Sequence, residues 1–84
     1  MFTKTKISDL FQTEDIYLAS TLMYYGYQVD SLGRDNPDKV RFSFLKDEQL
    51  DKLCQKYWEK KLLVDPTAFA NNLKHLKNRI RSSF

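Results

Sequence analysis

The sequence predicts a small α+β domain of α-β-β-α-α order, in which one antiparallel β-hairpin packs on three helices. Three observations carry this. Apolar residues recur at helical spacing in three separate stretches. Val40, Phe42 and Phe44 alternate with Arg41 and Ser43, the mark of a strand with one buried face. The run Gly33-Arg-Asp-Asn-Pro-Asp38 just before that strand is dense in turn formers.

Residues 1–12 carry the weakest signal. The alternation from Phe2 to Ile7 is compatible with a short edge strand or a loose tail. Residues 13–84 are expected to form a single compact unit.

Residues 13–26 read as the first helix. Thr13 is the expected N-cap, and Glu14 and Asp15 place negative charge in the first turn, where the helix dipole favours it. Ile16, Ala19, Ser20 and Met23 share one face, and Leu18, Leu22 and Tyr25 the next. So wide a stripe predicts burial against more than one element. Gly26 suits the left-handed position that ends a helix, with Tyr27 folding back on Leu22.

Residues 27–32 and 39–45 form the expected hairpin. Val29, with Tyr27 and Ser31, faces inward in this reading. The loop between the strands is longer than a tight two-residue turn, which predicts a mobile tip. Residues 47–60 are the second helix, with Leu50, Leu53, Cys54, Tyr57 and Trp58 along one stripe. Residues 60–64 connect onward, because a residue before proline avoids the helical region. Leu62 and Val64 are expected to tuck under the core. Asp65 and Pro66 then open the last helix as N-cap and first helical residue. Phe69, Leu73, Leu76 and Ile80 form its apolar stripe, while Lys74, Lys77 and Arg81 fall on a separate face.

A chain of 84 residues forms one domain and buries roughly 60–65% of its unfolded surface, a thin margin. Large aromatic side chains raise the buried area per residue. Cys54 is the only cysteine, so no disulfide closes within the chain. There is no leader-like run and no apolar window of membrane length, so a reducing cytoplasm is the expected compartment.

Catalytic chemistry finds little purchase. His75 is the only histidine and has no second base in view. Cys54 sits on an apolar stripe, the setting of an inert thiol. One Cys and one His do not make a zinc site, so no metal or other cofactor is expected. Asp35, Asn36 and Asp38 lack the spaced ligand set of a calcium loop. With only Gly26 and Gly33, there is no glycine-rich phosphate cradle. The acidic pairs Glu14/Asp15 and Asp47/Glu48 are explained by helix capping. The reading is of a protein that is not an enzyme.

Binding is the better prospect. The formal net charge is +3, and beyond Pro66 the chain holds Lys74, Lys77, Arg79 and Arg81 with no acidic residue. These four, with Lys60 and Lys61 nearby, suggest contacts to the phosphates of DNA or RNA, mostly electrostatic and weakly sequence-specific. The plain alternative is a solvated helix face with cations near its C-terminal end. The second functional reading is a protein–protein module, most simply a homodimer, through Trp58, Leu62 and Leu63. A surplus of aromatic residues and open hairpin edges motivates it. Exposure of residues 62–64 beside Trp58 separates the two, because an apolar patch serves a protein and not phosphate. Membrane attachment is disfavoured, since the apolar stripe of the last helix is needed for the core.

Taken together, Thr13-Glu-Asp-Ile-Tyr-Leu-Ala-Ser20, Gly26, Val40-Arg-Phe-Ser-Phe44, Tyr57-Trp58, Val64-Asp-Pro-Thr-Ala-Phe69 and Leu73-Lys-His-Leu-Lys-Asn-Arg-Ile80 resemble a family of small stand-alone domains of unknown function. The resemblance runs from Phe11 to Ile80. It implies one compact unit and brings no activity, cofactor or catalytic residue. Where that family continues the Tyr-Trp pair with Asn-Gly, this chain has Glu59-Lys60.

Overall fold

The computed structural model describes residues 10–36 and 38–83. In chain order these form β1 (Leu10–Thr13), α1 (Ile16–Tyr24), β2 (Ser31–Asn36), β3 (Lys39–Leu45), α2 (Glu48–Trp58) and α3 (Pro66–Ser83). The α+β class holds, and the sheet gains a strand. β1 and β2 both pair antiparallel with β3, in the order β1-β3-β2. Phe11 lies opposite Phe44, and Thr13 opposite Phe42. The expected edge strand at residues 2–7 lies outside the described residues.

Thr13 is therefore the end of a strand and not the cap of α1. Asp15 takes that role, its Oδ1 accepting the backbone N–H of Tyr17 and of Leu18 at 2.9 and 3.2 Å. Thr13 contributes from outside, its hydroxyl accepting the N–H of Asp15 at 3.1 Å. The other end of α1 closes as the sequence predicts. Gly26 adopts φ 101°, and the N–H of Tyr27 returns to the carbonyl of Leu22 at 3.0 Å.

Five consecutive residues of α1, Leu18 to Leu22, are buried, including Ser20 and Thr21. A helix buried all round is covered on several sides. The two hydroxyls are satisfied locally, donating to the carbonyls of Ile16 and Tyr17 at 2.9 and 2.8 Å. Around α1 the core gathers Phe42 and Phe44 of β3, Leu50 and Leu53 of α2, and Leu76 of α3.

The hairpin differs from expectation in position. Residues 27–30 leave α1 without joining the ladder as a strand, and β2 begins at Ser31. Ser31 lies opposite Ser43, which alternates with the core residues Phe42 and Phe44, so it is Leu32, opposite Phe42, that packs inward. The turn-rich run joins the strand, because a bulge between Gly33 and Asn36 absorbs the extra residue and Asn36 pairs with Lys39. At the bulge the guanidinium of Arg41 lies over Gly33, and a Cβ there would stand 2.6 Å from Arg41 Nη2.

Asp47 caps α2 through its Oδ1, which accepts the N–H of Leu50 at 2.8 Å. α2 ends in the same hydrogen-bond pattern as α1. The N–H of Lys61 reaches Lys56 O at 2.9 Å and that of Lys60 reaches Tyr57 O at 3.0 Å. Here the left-handed position is held by Lys60, with φ 62°. α3 opens as expected, Asp65 Oδ2 accepting the N–H of Ala68 at 2.8 Å. It lies against α1, with Phe69 stacked on Tyr17 and Asn72 Nδ2 donating to Ser20 O.

Candidate functional site

Two hydrogen bonds position the surface that stands out. At one end of the α1–α2 pair, the phenol of Tyr57 donates to Asp15 Oδ2 at 3.0 Å. At the other end, the phenol of Tyr27 donates to Asp47 Oδ1 at 2.6 Å. Each N-cap carboxylate thus also receives a tyrosine from the far end of the other helix. Burial first, and then the bond to the carboxylate, pushes both phenols up to about 12. The bond from Tyr27, followed by the N–H of Leu50, holds the Asp47 carboxyl below its ordinary range.

The Tyr57 clasp fixes the last turn of α2, and the next residue is Trp58. Its ring meets that of Tyr57 edge-on, with centroids 4.9 Å apart. Tyr57 turns inward and leaves Trp58 outside, 64% exposed. A groove of about 420 Å³ opens beside them, lined also by Thr21, Leu62, Val64 and Lys60. Leu62 does pack against the core, as the sequence predicts, and Val64 is half-buried. Leu63 between them points away and is 85% exposed. Tyr25 pins this connector, its phenol donating to Leu63 O at 2.5 Å. Of the groove residues, the sequence points to the Tyr57-Trp58 pair and to residues 62–64 as an apolar patch, and it does not single out Thr21. The periodicity of α1 shows that Thr21 is helical, and nothing local shows that the connector runs past it.

The cations expected to act together are divided. Lys74, Lys77 and Arg81 lie exposed on one face of α3. Arg79 is half-buried on another side, where it lines a separate hollow with His75. Lys60 belongs to the groove at the end of α2, and Lys61 pairs with Glu59 at 3.6 Å. Further ion pairs join Lys39 to Glu14 and Lys46 to Asp51. Among the described residues, Lys74, Lys77, Arg79 and Arg81 form no ion pair.

Cys54 is half-buried against the core, and burial followed by the charge of Asp51 pushes its thiol up. No helix among the described residues is long and apolar enough to cross a membrane.

No curated protein and no solved structure matches the chain. A family model does match, over residues 8–82, and its description is a domain of unknown function, DUF5659. The match spans the described sheet and helices, both clasps and the groove, and the chain belongs to the DUF5659 family.

Proposed function

We propose that this domain is a non-enzymatic protein-binding module whose docking site is the groove beside Trp58. The exposure of Trp58 carries the reading. A tryptophan 64% open to water, held edge-on by a clasped tyrosine at an apolar groove, has the make-up of an interface anchor. Lys60 at the groove supplies one positive charge, and that of Lys61 is countered by Glu59. The partner is therefore an apolar segment carrying an acidic residue. Two copies meeting groove to groove would bring Lys60 toward Lys60, which disfavours a homodimer through this surface.

Selection of displayed peptides on the intact domain tests this. Wild type is expected to enrich apolar peptides bearing Asp or Glu, and Trp58→Ala to lose that enrichment while keeping its circular dichroism. Equal enrichment on both proteins, or none on wild type, overturns the reading. Sedimentation across a concentration series addresses self-association: a dimer abolished by Trp58→Ala makes a second copy the partner.

A second reading keeps nucleic acid as partner. Its supporting observation is the exposed face of Lys74, Lys77 and Arg81, which form no ion pair among the described residues. Three cations give a weak, salt-sensitive contact. Retention of the wild type on DNA or RNA at low salt, lost when all three become Glu, supports it. A wild type that shifts neither at low salt ends it.

A further inference from the structure

We propose that the connector between α2 and α3 receives the partner as an added β-strand, so that the segment held at the groove is an extended chain and not a helix; this rests on the groove reading above. Residues 61–65 belong to no helix, turn or strand, yet their exposure alternates strictly. Leu62 and Val64 are half-buried, and Lys61, Leu63 and Asp65 are exposed. That is the period of a strand with one covered face.

The backbone of this run is short of partners. Among the described residues, the N–H groups of Leu62, Leu63 and Val64 donate no hydrogen bond, and of their carbonyls only that of Leu63 accepts one, from the Tyr25 phenol. In an extended chain the N–H and C=O of one residue point to one side and those of its neighbours to the other. With the Leu63 carbonyl turned to Tyr25, Leu62 and Val64 present theirs on the opposite edge, at the spacing of an antiparallel ladder. Such an edge is a template for another chain, main-chain bonds giving affinity and alternate side chains specificity. A helical partner bonds its own backbone and leaves these groups unused. Leu62 and Val64 also line the groove with Trp58 and Lys60, so a chain paired to them lies along it. Charge sets what that chain carries. Lys60 forms no ion pair among the described residues. Glu59 is engaged by Lys61 at 3.6 Å and by Gln55 Nε2 at 3.2 Å, and Asp15 by Tyr57 and the N–H groups of Tyr17 and Leu18. An Asp or Glu at the end of the added strand beside Lys60 therefore meets an unmatched cation.

The test uses linear peptides selected from a random displayed library on the intact wild-type domain and dependent on Trp58. Single N-methylation at alternate backbone positions of such a peptide should weaken binding about tenfold, with little effect at the positions between. By NMR hydrogen exchange, bound peptide should slow the amides of Leu62 and Val64 and leave that of Leu63 unchanged. Val64→Pro removes one donor and should bind about tenfold more weakly than Val64→Ala, which loses the side chain only. The first two measurements use the unaltered protein and decide the matter if Val64→Pro fails to fold. Lys60→Gly, which keeps the turn, should lose the preference for acidic peptides. Trp58-dependent peptides that bind as helices, tolerate N-methylation at every position, leave the exchange of Leu62 and Val64 unchanged or keep their acidic preference on Lys60→Gly overturn the proposal while the groove reading stands. Selection of no Trp58-dependent peptide ends the groove reading and this one with it. Self-association of the domain in competition with the peptide puts a second copy on the edge and also overturns the proposal.

Discussion

The phenol of Tyr57 donates to Asp15 Oδ2 at 3.0 Å across a sequence separation of 42, fastening the last turn of α2 to the first turn of α1. The same carboxylate caps α1 through Oδ1, so one side chain serves local and tertiary structure together. Tyr57→Phe should lower stability by about 1 kcal/mol, the worth of one hydrogen bond. Asp15→Ala should lower it by about 1–2 kcal/mol through the cap alone, with the clasp adding to that. Urea denaturation of both single variants and the double variant checks this. The double variant should fall short of the sum, because both changes remove one shared bond.

Stability should also fall in strong alkali. In the native chain the phenols of Tyr27 and Tyr57 hold their protons up to about 12, against an ordinary 10.0. Between those values the unfolded chain has lost protons that the native chain keeps, so a rise in pH favours unfolding. Urea midpoints should drop across that window, and a double Tyr→Phe variant should flatten the drop. Phenolate absorbance should show two late-titrating tyrosines. Asp47 acts in the opposite sense: its native carboxyl is depressed by Tyr27 and the N–H of Leu50, so its contribution is present at neutral pH and lost as pH falls through the acid range.

Lys60 stands at φ 62° in the position that Gly26 fills at the end of α1. A side chain there costs free energy that glycine avoids. Lys60→Gly should raise stability by about 0.5–1 kcal/mol, and Gly26→Ala should lower it by about 1 kcal/mol. Thermal melts of the two variants, moving in opposite directions, are the check.

Leu76 is the one fully buried residue among those described in α3. Leu76→Ala should cost about 2–5 kcal/mol by leaving a cavity where α3 meets the core. Leu63→Ser, at a side chain 85% exposed, should stay within about 0.5 kcal/mol of wild type. Denaturant titration of this pair separates the anchored side of the molecule from its open side.

What could be read beforehand was local. Asp65 before Pro66, and Gly26 after a helical stripe, announce helix ends through groups a few residues away, and the structure uses both as expected. Three helices and the buried face of β3 follow from periodicity. β1 does not, because four residues gain their meaning only from pairing with Phe42 to Leu45, far along the chain. The cap of α1 was displaced from Thr13 to Asp15 for the same reason, once Thr13 entered the ladder. The basic residues of α3 were visible individually, but the burial of Arg79 depends on where residues 26–29 pass. Trp58 falls on an apolar stripe that reads as core, and only the end of α2 leaves it uncovered.

β3 sits at the centre of the sheet, and among the described residues it is β1 that pairs along one of its flanks. A truncated version starting after Thr13 would keep every helix yet bare the backbone amides and carbonyls of a long hydrophobic ribbon. Such a fragment invites strand-to-strand aggregation during expression. Anyone trimming this protein for crystals or fusions should begin upstream of Leu10.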